Sequence, residues 1–171
     1  MKTLAAALLM FVLTAAATPV DYRFDEVKRK VTLTSAQKEL RVERGQLAQG
    51  GDKVQTGWLS YALISSDRYH ARFEIFASTD VTLASSEPGV ILSVERGKLR
   101  AIFDKITGNE PRIVKTPGAL LAVRGTKYDV DVDDGGNTTL NVFEGVVEVR
   151  HDFRSEPLLV PAGQQTNFGL R

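Results

Sequence analysis

Apolar residues recur mostly at every second position after residue 38, in short runs separated by Gly, Pro, Asn, Asp and Ser. This spacing is typical of strands with one buried face, and the runs are rich in Val, Ile, Thr, Phe and Tyr, which favour strands. No stretch after residue 17 carries the 3.6-residue stripe of an amphipathic helix, although residues 20–30 fit either a short helix or a strand. The runs occupy residues 53–54, 61–64, 72–76, 81–83, 90–94, 98–103, 127–132 and 138–149.

The breaks between these runs are turn-forming pairs that come at hairpin-like intervals. They lie at residues 50–51, 88–89, 108–109, 117–118 and 134–137. The pattern predicts an all-β fold, a single domain of short antiparallel strands that is either a stacked, solenoid-like body or a sandwich.

One short spacing, apolar-x-x-Gly-x-apolar, occurs three times along the chain. The three copies lie about 50 residues apart and place their glycines at Gly45, Gly97 and Gly145. A glycine at the same place in each copy predicts a repeated bulge or tight change of direction, where a side chain does not fit.

The first 17 residues have the composition of an export signal. Lys2 provides a positive start, residues 4–17 are an uncharged run of 14 residues, and Ala15–Ala17 offers the small-x-small site of signal peptidase. The run is shorter than the about 20 apolar residues of a spanning helix. We therefore expect cleavage after Ala17, a periplasmic or secreted product, and no integral membrane insertion after cleavage; an uncleaved N-terminal anchor is the alternative.

The amino-acid composition argues against several classes of function. The chain has 171 residues, with 22 Lys and Arg against 21 Asp and Glu, and no cysteine. Nucleic-acid binders normally carry a clear basic excess, so this balance argues against a nucleic-acid partner. The lack of cysteine excludes disulfides, thiolate metal sites and a thiol nucleophile.

Patterns of catalytic and metal-binding residues do not appear in the sequence. It contains no G-x-S-x-G, H-E-x-x-H, P-loop or G-x-G-x-x-G motif. Its two histidines, His70 and His151, are expected on solvent-facing strand positions. An EF-hand loop requires glycine at its sixth position and glutamate at its twelfth, but counted from Asp129 these positions are Asp134 and Leu140. We therefore predict a protein that is not an enzyme and that holds no metal and no cofactor.

Residues 123–149 form a predicted hairpin with a clear alternation. The even positions from Tyr128 to Val132 are apolar, and so are Leu140 and Val142 after the turn, which places them on one buried face. The same parity carried outward directs Arg124, Thr126 and Glu144 inward. Because an unpaired buried charge is costly, we expect Arg124 and Glu144 to satisfy each other across the strands. The alternative is that both reach solvent at their strand ends, and a bulge at Gly125 would have that effect.

This hairpin carries a resemblance to a known family. VRGTKYDVDV at residues 123–132 and NVFEGVVEV at residues 141–149 resemble the FecR domain, in which an R-G-T strand precedes an E-G-x-V strand. G-D-x-V-x-T-G-x-x-S at residues 51–60 is similar to the opening of that family, and residues 159–165 are similar to its closing strand. The residues that carry the motifs are Gly51, Asp52, Thr56, Gly57, Arg124, Gly125, Thr126, Glu144 and Gly145.

The resemblance implies an exported β module. Its best-known members relay a signal from an outer-membrane receptor to a cytoplasmic sigma factor through an anti-sigma segment and a transmembrane helix, and we expect a stand-alone exported form that lacks that segment. The expected organisation is a signal peptide at residues 1–17, an N-terminal extension at 18–49, the FecR-like domain at 50–150, and a closing strand and tail at 151–171. The expected partner is another envelope protein.

Two binding modes remain open for such a module. Contact with another protein, for example by addition of a strand to an unpaired sheet edge, is the first. The second is carbohydrate or peptidoglycan binding, for which Trp58 and Tyr61 are the candidate surface, since flat rings on a rigid β fold suit sugars.

Overall fold

The computed structural model describes residues 22–83, 87–105, 112–151 and 153–169. The signal peptide predicted at residues 1–17 and the turn predicted at residues 108–109 lie outside the described residues. Within them the fold is all-β, as predicted, and residues 22–28, for which a helix or a strand was expected, form a strand. None of the described residues forms a helix long and apolar enough to cross a membrane.

Sixteen strands make up the described part of the chain. They are β1 (Tyr22–Lys28), β2 (Val31–Ser35), β3 (Lys38–Arg41), β4 (Leu47–Ala48), β5 (Lys53–Thr56), β6 (Tyr61–Ser66), β7 (Ala71–Ile75), β8 (Asp80–Leu83), β9 (Val90–Phe103), β10 (Arg112–Thr116), β11 (Ala119–Val123), β12 (Lys127–Val132), β13 (Thr138–Glu144), β14 (Val146–His151), β15 (Leu158–Pro161) and β16 (Gln165–Phe168).

The strands form two groups that share β9. Sheet I has the order β4-β1-β6-β7-β9-β12-β13-β16 and is antiparallel throughout. Sheet II has the order β3-β2-β5-β8-β9-β10-β11-β14-β15. Its β9–β10 pair is parallel, so the predicted antiparallel arrangement has one exception. Strand β9 is 14 residues long because two predicted runs, 90–94 and 98–103, join into one strand.

The three recurring glycines mark places where the chain passes between the sheets. Gly45 lies between β3 and β4, Gly97 lies within β9, and Gly145 lies between β13 and β14, with φ of 86°, 88° and 76°. At Gly97 a Cβ atom would lie only 2.6 Å from Thr79 Cα. The predicted tight changes of direction are therefore confirmed, and each one carries the backbone from one sheet to the other.

The core lies between the inner faces of the two sheets and forms one hydrophobic cluster. The apolar residues predicted to face inward in the hairpin are all buried there: Tyr128, Val130, Val132, Leu140 and Val142. The Phe103 ring packs between Phe73, at a centroid distance of 5.8 Å, and Tyr128, at 6.2 Å. The Tyr22 hydroxyl donates to the carbonyl of Ile91, which links β1 of sheet I to the sheet II half of β9.

Replacement of Tyr128 by phenylalanine is expected to raise the free energy of unfolding by about 1 kcal/mol, because its buried Oη has no hydrogen-bond partner among the described residues. Burial also raises the pKa of Tyr128 above its ordinary 10.0. The unfolded chain ionises this phenol near pH 10, whereas the folded chain keeps it neutral. The free energy of unfolding therefore declines as the pH rises above 10. Urea unfolding of both proteins at neutral and alkaline pH measures the two effects. A less stable Tyr128→Phe protein at neutral pH would contradict this prediction.

Candidate interaction surfaces

The segment G-D-x-V-x-T-G-x-x-S builds β5 and the corner that follows it. The carboxylate of Asp52 accepts a hydrogen bond from Gln49 N at 2.8 Å, and Gly51 N donates to Leu83 O at 2.7 Å. The hydroxyl of Thr56 donates to Phe76 O at 2.5 Å and accepts from Thr79 N at 2.9 Å. Because Asp52 and Thr56 are buried and their side chains are hydrogen-bonded to the backbone, their geometry suits a structural role.

Trp58 and Leu59 stand out from this corner and form what we call the Trp58–Leu59 tip. Their exposed fractions are 81% and 51%. Leu59 has φ of 57°, a left-handed conformation that costs about 1–3 kcal/mol and persists only when the surroundings impose it. The surroundings here are a hydrogen bond from Gly57 N to Lys30 O at 3.0 Å and one from Ser60 N to Gly57 O at 3.1 Å. The tip is therefore apolar, exposed and rigidly supported.

A run of three cations adjoins the tip and is called the basic corner, Lys28–Arg29–Lys30. All three residues are exposed. The backbone of Lys30 is hydrogen-bonded to the residues that flank the tip: its N–H donates to Ser60 Oγ at 3.1 Å, and its carbonyl accepts from Gly57 N. Lys28 Nζ lies 2.8 Å from Glu26. Residues 30 positions apart in sequence thus form one continuous surface.

Tyr61 adjoins the basic corner through Lys28 rather than stacking on Trp58. The Tyr61 ring is half-buried on the outer face of sheet I, where it packs edge-on against Phe76 at 6.0 Å and lies 5.0 Å beneath Lys28 Nζ. In the described part of the chain, Trp58 takes part in no ring pair. The two residues do not form a stacked aromatic platform.

Arg100 organises the outer face of sheet I beside Tyr61. Its guanidinium binds both carboxylate oxygens of Asp129, at 2.6 and 3.0 Å. It also lies 5.3 Å from the Phe143 ring and 5.9 Å from the Phe76 ring. The hydrogen bonds to Asp129 and the nearby carboxylates raise the pKa of Arg100. Asp129 is buried beneath this arginine, whereas Asp131 on the same strand is exposed.

The R-G-T and E-G motifs meet at a second corner. A Cβ atom on Gly145 would lie 2.8 Å from Gly125 O and 2.8 Å from Thr126 Cγ2, and one on Gly125 would lie 2.5 Å from Lys105 Cγ. Thr126 is buried, and its carbonyl accepts from Phe103 N at 2.8 Å. The close approach of these backbones explains why two glycines stand here.

The prediction of a buried Arg124–Glu144 pair is wrong, because both side chains are exposed. The prediction assumed that inward and outward positions alternate as far as Arg124 and Glu144, and two local features interrupt this alternation. The positive φ of 61° at Gly125 turns the backbone between Arg124 and Thr126. The β12–β13 register also shifts, so that Lys127 pairs with Glu144 and Tyr128 with Val142, which leaves Phe143 as an extra residue.

Among the described residues the buried arginine is Arg112, which the sequence did not single out. It is 3% exposed, donates to the carbonyls of Tyr69 and Asp104, both at 3.2 Å, and lies 5.2 Å from the Phe103 ring. Burial lowers the pKa of Arg112, and the Asp104 carboxylate opposes that shift. Its stabilising partners are main-chain oxygens and an aromatic face.

The two sheets end differently at their two sides. At one side β3 carries Lys38, Glu39 and Arg41, and β4 is only two residues long; charge and shortness both protect an edge from pairing with another chain. At the other side β15 (LLVP) and β16 (QTNF) carry no charged residue. Leu158 and Leu159 on β15 are exposed.

A groove of about 650 Å³ opens at this uncharged side. Val149, Leu158 and Phe168 line it together with Phe153 and Arg154. His151 also lines the groove and is half-buried, which differs from the solvent-facing position expected of it. A neutral ring with its proton on Nε2 satisfies both of its contacts, since Phe153 N donates to Nδ1 and Nε2 lies 3.2 Å from Gly169 O.

The remaining residues considered for catalysis or metal binding lie in turns. His70 is exposed in the β6–β7 turn. Asp133 closes the β12–β13 turn by accepting hydrogen bonds from Gly135 N and from the Asn137 backbone and side chain. The bonds from Asn137 lower the pKa of Asp133. Among the described residues, no group of three or more His, Asp or Glu side chains is arranged to hold a metal ion.

This arrangement defines an all-β module that exposes a rigid apolar tip, a basic corner and an uncharged sheet edge. The chain belongs to the FecR family, because the model of that family, described as FecR protein, matches residues 52–148. This confirms the resemblance drawn from the motifs. No curated protein matches the chain.

Two solved structures have a similar fold. Both are crystal structures of a "putative anti-sigma factor" from Parabacteroides distasonis ATCC 8503, with TM-scores of 0.57 and 0.56 and identities of 17% and 16%. Each alignment covers 68% of this chain and 54% of the other. The chain thus spans about half the length of these structures, and the likeness establishes the fold alone.

Sequence reasoning found the exposed Trp58 but not its cationic neighbours. The sequence shows the run Lys28–Arg29–Lys30. Its position beside residues 57–60 depends on hydrogen bonds of the Lys30 main chain, which a pattern of side chains does not predict. The uncharged composition of β15 and β16, in contrast to β3, was a usable signal.

Proposed function

We propose that this FecR-family protein is an exported, non-enzymatic regulatory module that recognises a partner protein of the cell envelope by strand addition at β15. Membership of the family and a fold shared with the anti-sigma factors support a regulatory role through protein contacts. Export rests on the proposed signal peptide at residues 1–17, and N-terminal sequencing of the exported chain tests for a start at Thr18.

The observation that carries the proposal is the contrast between the sheet edges. Among the described residues, strand β15 is the last strand of sheet II and pairs only with β14. Its unpaired side offers main-chain groups to an extended peptide, which is the basis of β-augmentation. The edge at β3 is protected by charge, whereas β15 carries no charge and has its one proline, Pro161, at its last position.

The groove beside β15 supplies the side-chain contacts that strand addition needs for specificity. Leu158 points into the groove with Val149 and Phe168. Alternate residues of an added strand would face this groove, so we expect the partner segment to be extended and to alternate aliphatic with polar residues. Arg154 at the rim favours an acidic residue next to the aliphatic ones.

A charge placed on the edge is expected to abolish partner binding. Leu159→Lys introduces on β15 the kind of charge that protects β3, and Leu159 is 59% exposed, so the fold should tolerate it. The matched control is Leu47→Lys, since Leu47 is 58% exposed on the edge strand β4 at the other side. Retention of envelope proteins on immobilised chain measures the effect, with a photo-reactive amino acid at position 159 to identify the contact.

We expect the unchanged chain and Leu47→Lys to retain the same protein, Leu159→Lys to lose it, and the cross-link to form from position 159. Equal retention by both lysine variants, with no cross-link from position 159, would refute recognition at β15. Unfolding curves that coincide for the two variants establish that any loss is not a loss of fold.

The second candidate function is binding of carbohydrate or peptidoglycan. The exposure of Trp58, at 81%, favours it, because an indole ring stacks on sugar faces. Binding of purified cell-wall sacculi that disappears in Trp58→Ala would support this function over protein recognition.

A further inference from the structure

We propose that the Trp58–Leu59 tip and the basic corner together form a peripheral docking site for the surface of an anionic lipid bilayer. The site is separate from the β15 edge, so it goes beyond the proposed function and does not depend on it. The occupant follows from two properties of the surface, its exposed apolar end and its adjoining positive charge.

The apolar end has the composition of an interfacial anchor. Tryptophan prefers the boundary between water and hydrocarbon because its ring is apolar and its N–H is polar. Leu59 stands beside it as an aliphatic side chain and is 51% exposed. Hydrogen bonds from Gly57 and Ser60 hold the corner below them, so insertion of the tip requires no unfolding.

The cations lie where lipid headgroups would meet them. Lys30 is hydrogen-bonded to the base of the tip on both sides, through Ser60 and Gly57. In the part of the chain that the structure describes, Arg29 and Lys30 belong to no ion pair, while Lys28 pairs with Glu26.

Other charged residues near Lys30 do not neutralise the positive charge of Arg29 and Lys30. Arg41 and Glu39 line a shallow depression with Lys30 and offset each other. The chain as a whole is nearly neutral, with 22 basic and 21 acidic residues. Attraction to an anionic surface is therefore local to this corner, and it orients the protein with the tip toward the membrane.

Trp58 makes the test direct, because it is the sole tryptophan of the chain. The exported protein is mixed with vesicles of phosphatidylglycerol and phosphatidylcholine, and with vesicles of phosphatidylcholine alone. We expect a blue shift of the tryptophan emission and protection from acrylamide quenching with the anionic vesicles only. Moderate salt should reverse the binding, since the cations contribute through a screened surface potential.

Charge variants identify the site. Arg29→Gln and Lys30→Gln are each expected to lower vesicle partitioning about fivefold, and the double variant roughly 25-fold. The matched control is Arg150→Gln with Arg154→Gln, which removes two exposed cations from β14 and the segment that follows it. Leu59→Ser should weaken partitioning measured by sedimentation while the salt dependence remains.

Several outcomes would overturn the inference. These are no emission shift with anionic vesicles, equal binding to neutral vesicles, or equal losses in the control double variant. A shift with sacculi or with a protein partner in place of vesicles would assign the tip to those ligands. Leu159→Lys should bind vesicles normally, and the double charge variant should still bind the partner at β15. The failure of one proposal is thereby distinguishable from the failure of the other.

Discussion

Replacement of Gly97 by alanine is expected to lower the free energy of unfolding by about 4 kcal/mol, the largest effect of any conservative substitution proposed for this chain. A left-handed non-glycine residue costs about 1–2 kcal/mol by itself. The added Cβ would also lie 2.6 Å from Thr79 Cα and 2.7 Å from Ser78 O, which are backbone atoms that cannot move aside. The backbone of β9 must shift where it passes between the sheets. Urea or guanidinium unfolding measures the loss.

Gly45→Ala is the matched control, because it separates lack of space from backbone conformation. Gly45 has φ of 86°, almost equal to the 88° of Gly97, and has no atom within 4 Å of its added Cβ. We expect Gly45→Ala to lose only the about 1–2 kcal/mol of the left-handed conformation. Similar losses in the two variants would show that the approach of the Thr79 backbone to Gly97 contributes little.

Replacement of Arg112 by alanine is expected to destabilise the protein by about 3 kcal/mol. It removes two hydrogen bonds from a charged donor, to Tyr69 O and Asp104 O, and the contact with the Phe103 ring. It also leaves a cavity and carbonyl oxygens without their donor. Arg112→Met retains most of the packing and should cost about 1–2 kcal/mol, which isolates the polar contribution.

Arg150→Ala provides the surface reference for this prediction. Arg150 forms an ion pair with Glu148 at 2.6 Å, but its side chain is 63% exposed. Exposed ion pairs contribute about 0–1 kcal/mol. An Arg112→Ala loss as small as the Arg150→Ala loss, measured by denaturant unfolding under the same conditions, would refute the structural role of Arg112.

The alternation of apolar and polar residues predicted the strands and the sides that they bury. From Tyr128 to Val142 the inward positions follow from period two alone. The spacing of Gly45, Gly97 and Gly145 likewise predicted changes of direction that the structure has at all three places. These features are local, because a strand's two faces and a glycine's conformation depend on neighbouring residues.

The same alternation failed where the backbone leaves regular strand geometry. Parity carried through Gly125 and Phe143 directed Arg124 and Glu144 inward, but a positive φ and an extra residue place both outside. An arginine is indeed buried in this protein, yet at Arg112. One of its partners is the carbonyl of Tyr69, 43 residues away. Every residue has a backbone carbonyl, so a pattern of side chains does not predict which carbonyl Arg112 contacts.

By itself the sequence determined the all-β class, the buried faces of its strands and the family to which the chain belongs. These properties follow from side-chain chemistry repeated at fixed spacings. The tertiary structure decided which arginine is buried, that the cations at 28–30 lie beside Trp58, and that the uncharged edges of both sheets border one groove. The contacts responsible join distant segments through main-chain hydrogen bonds, whose donors and acceptors are the same in nearly every residue.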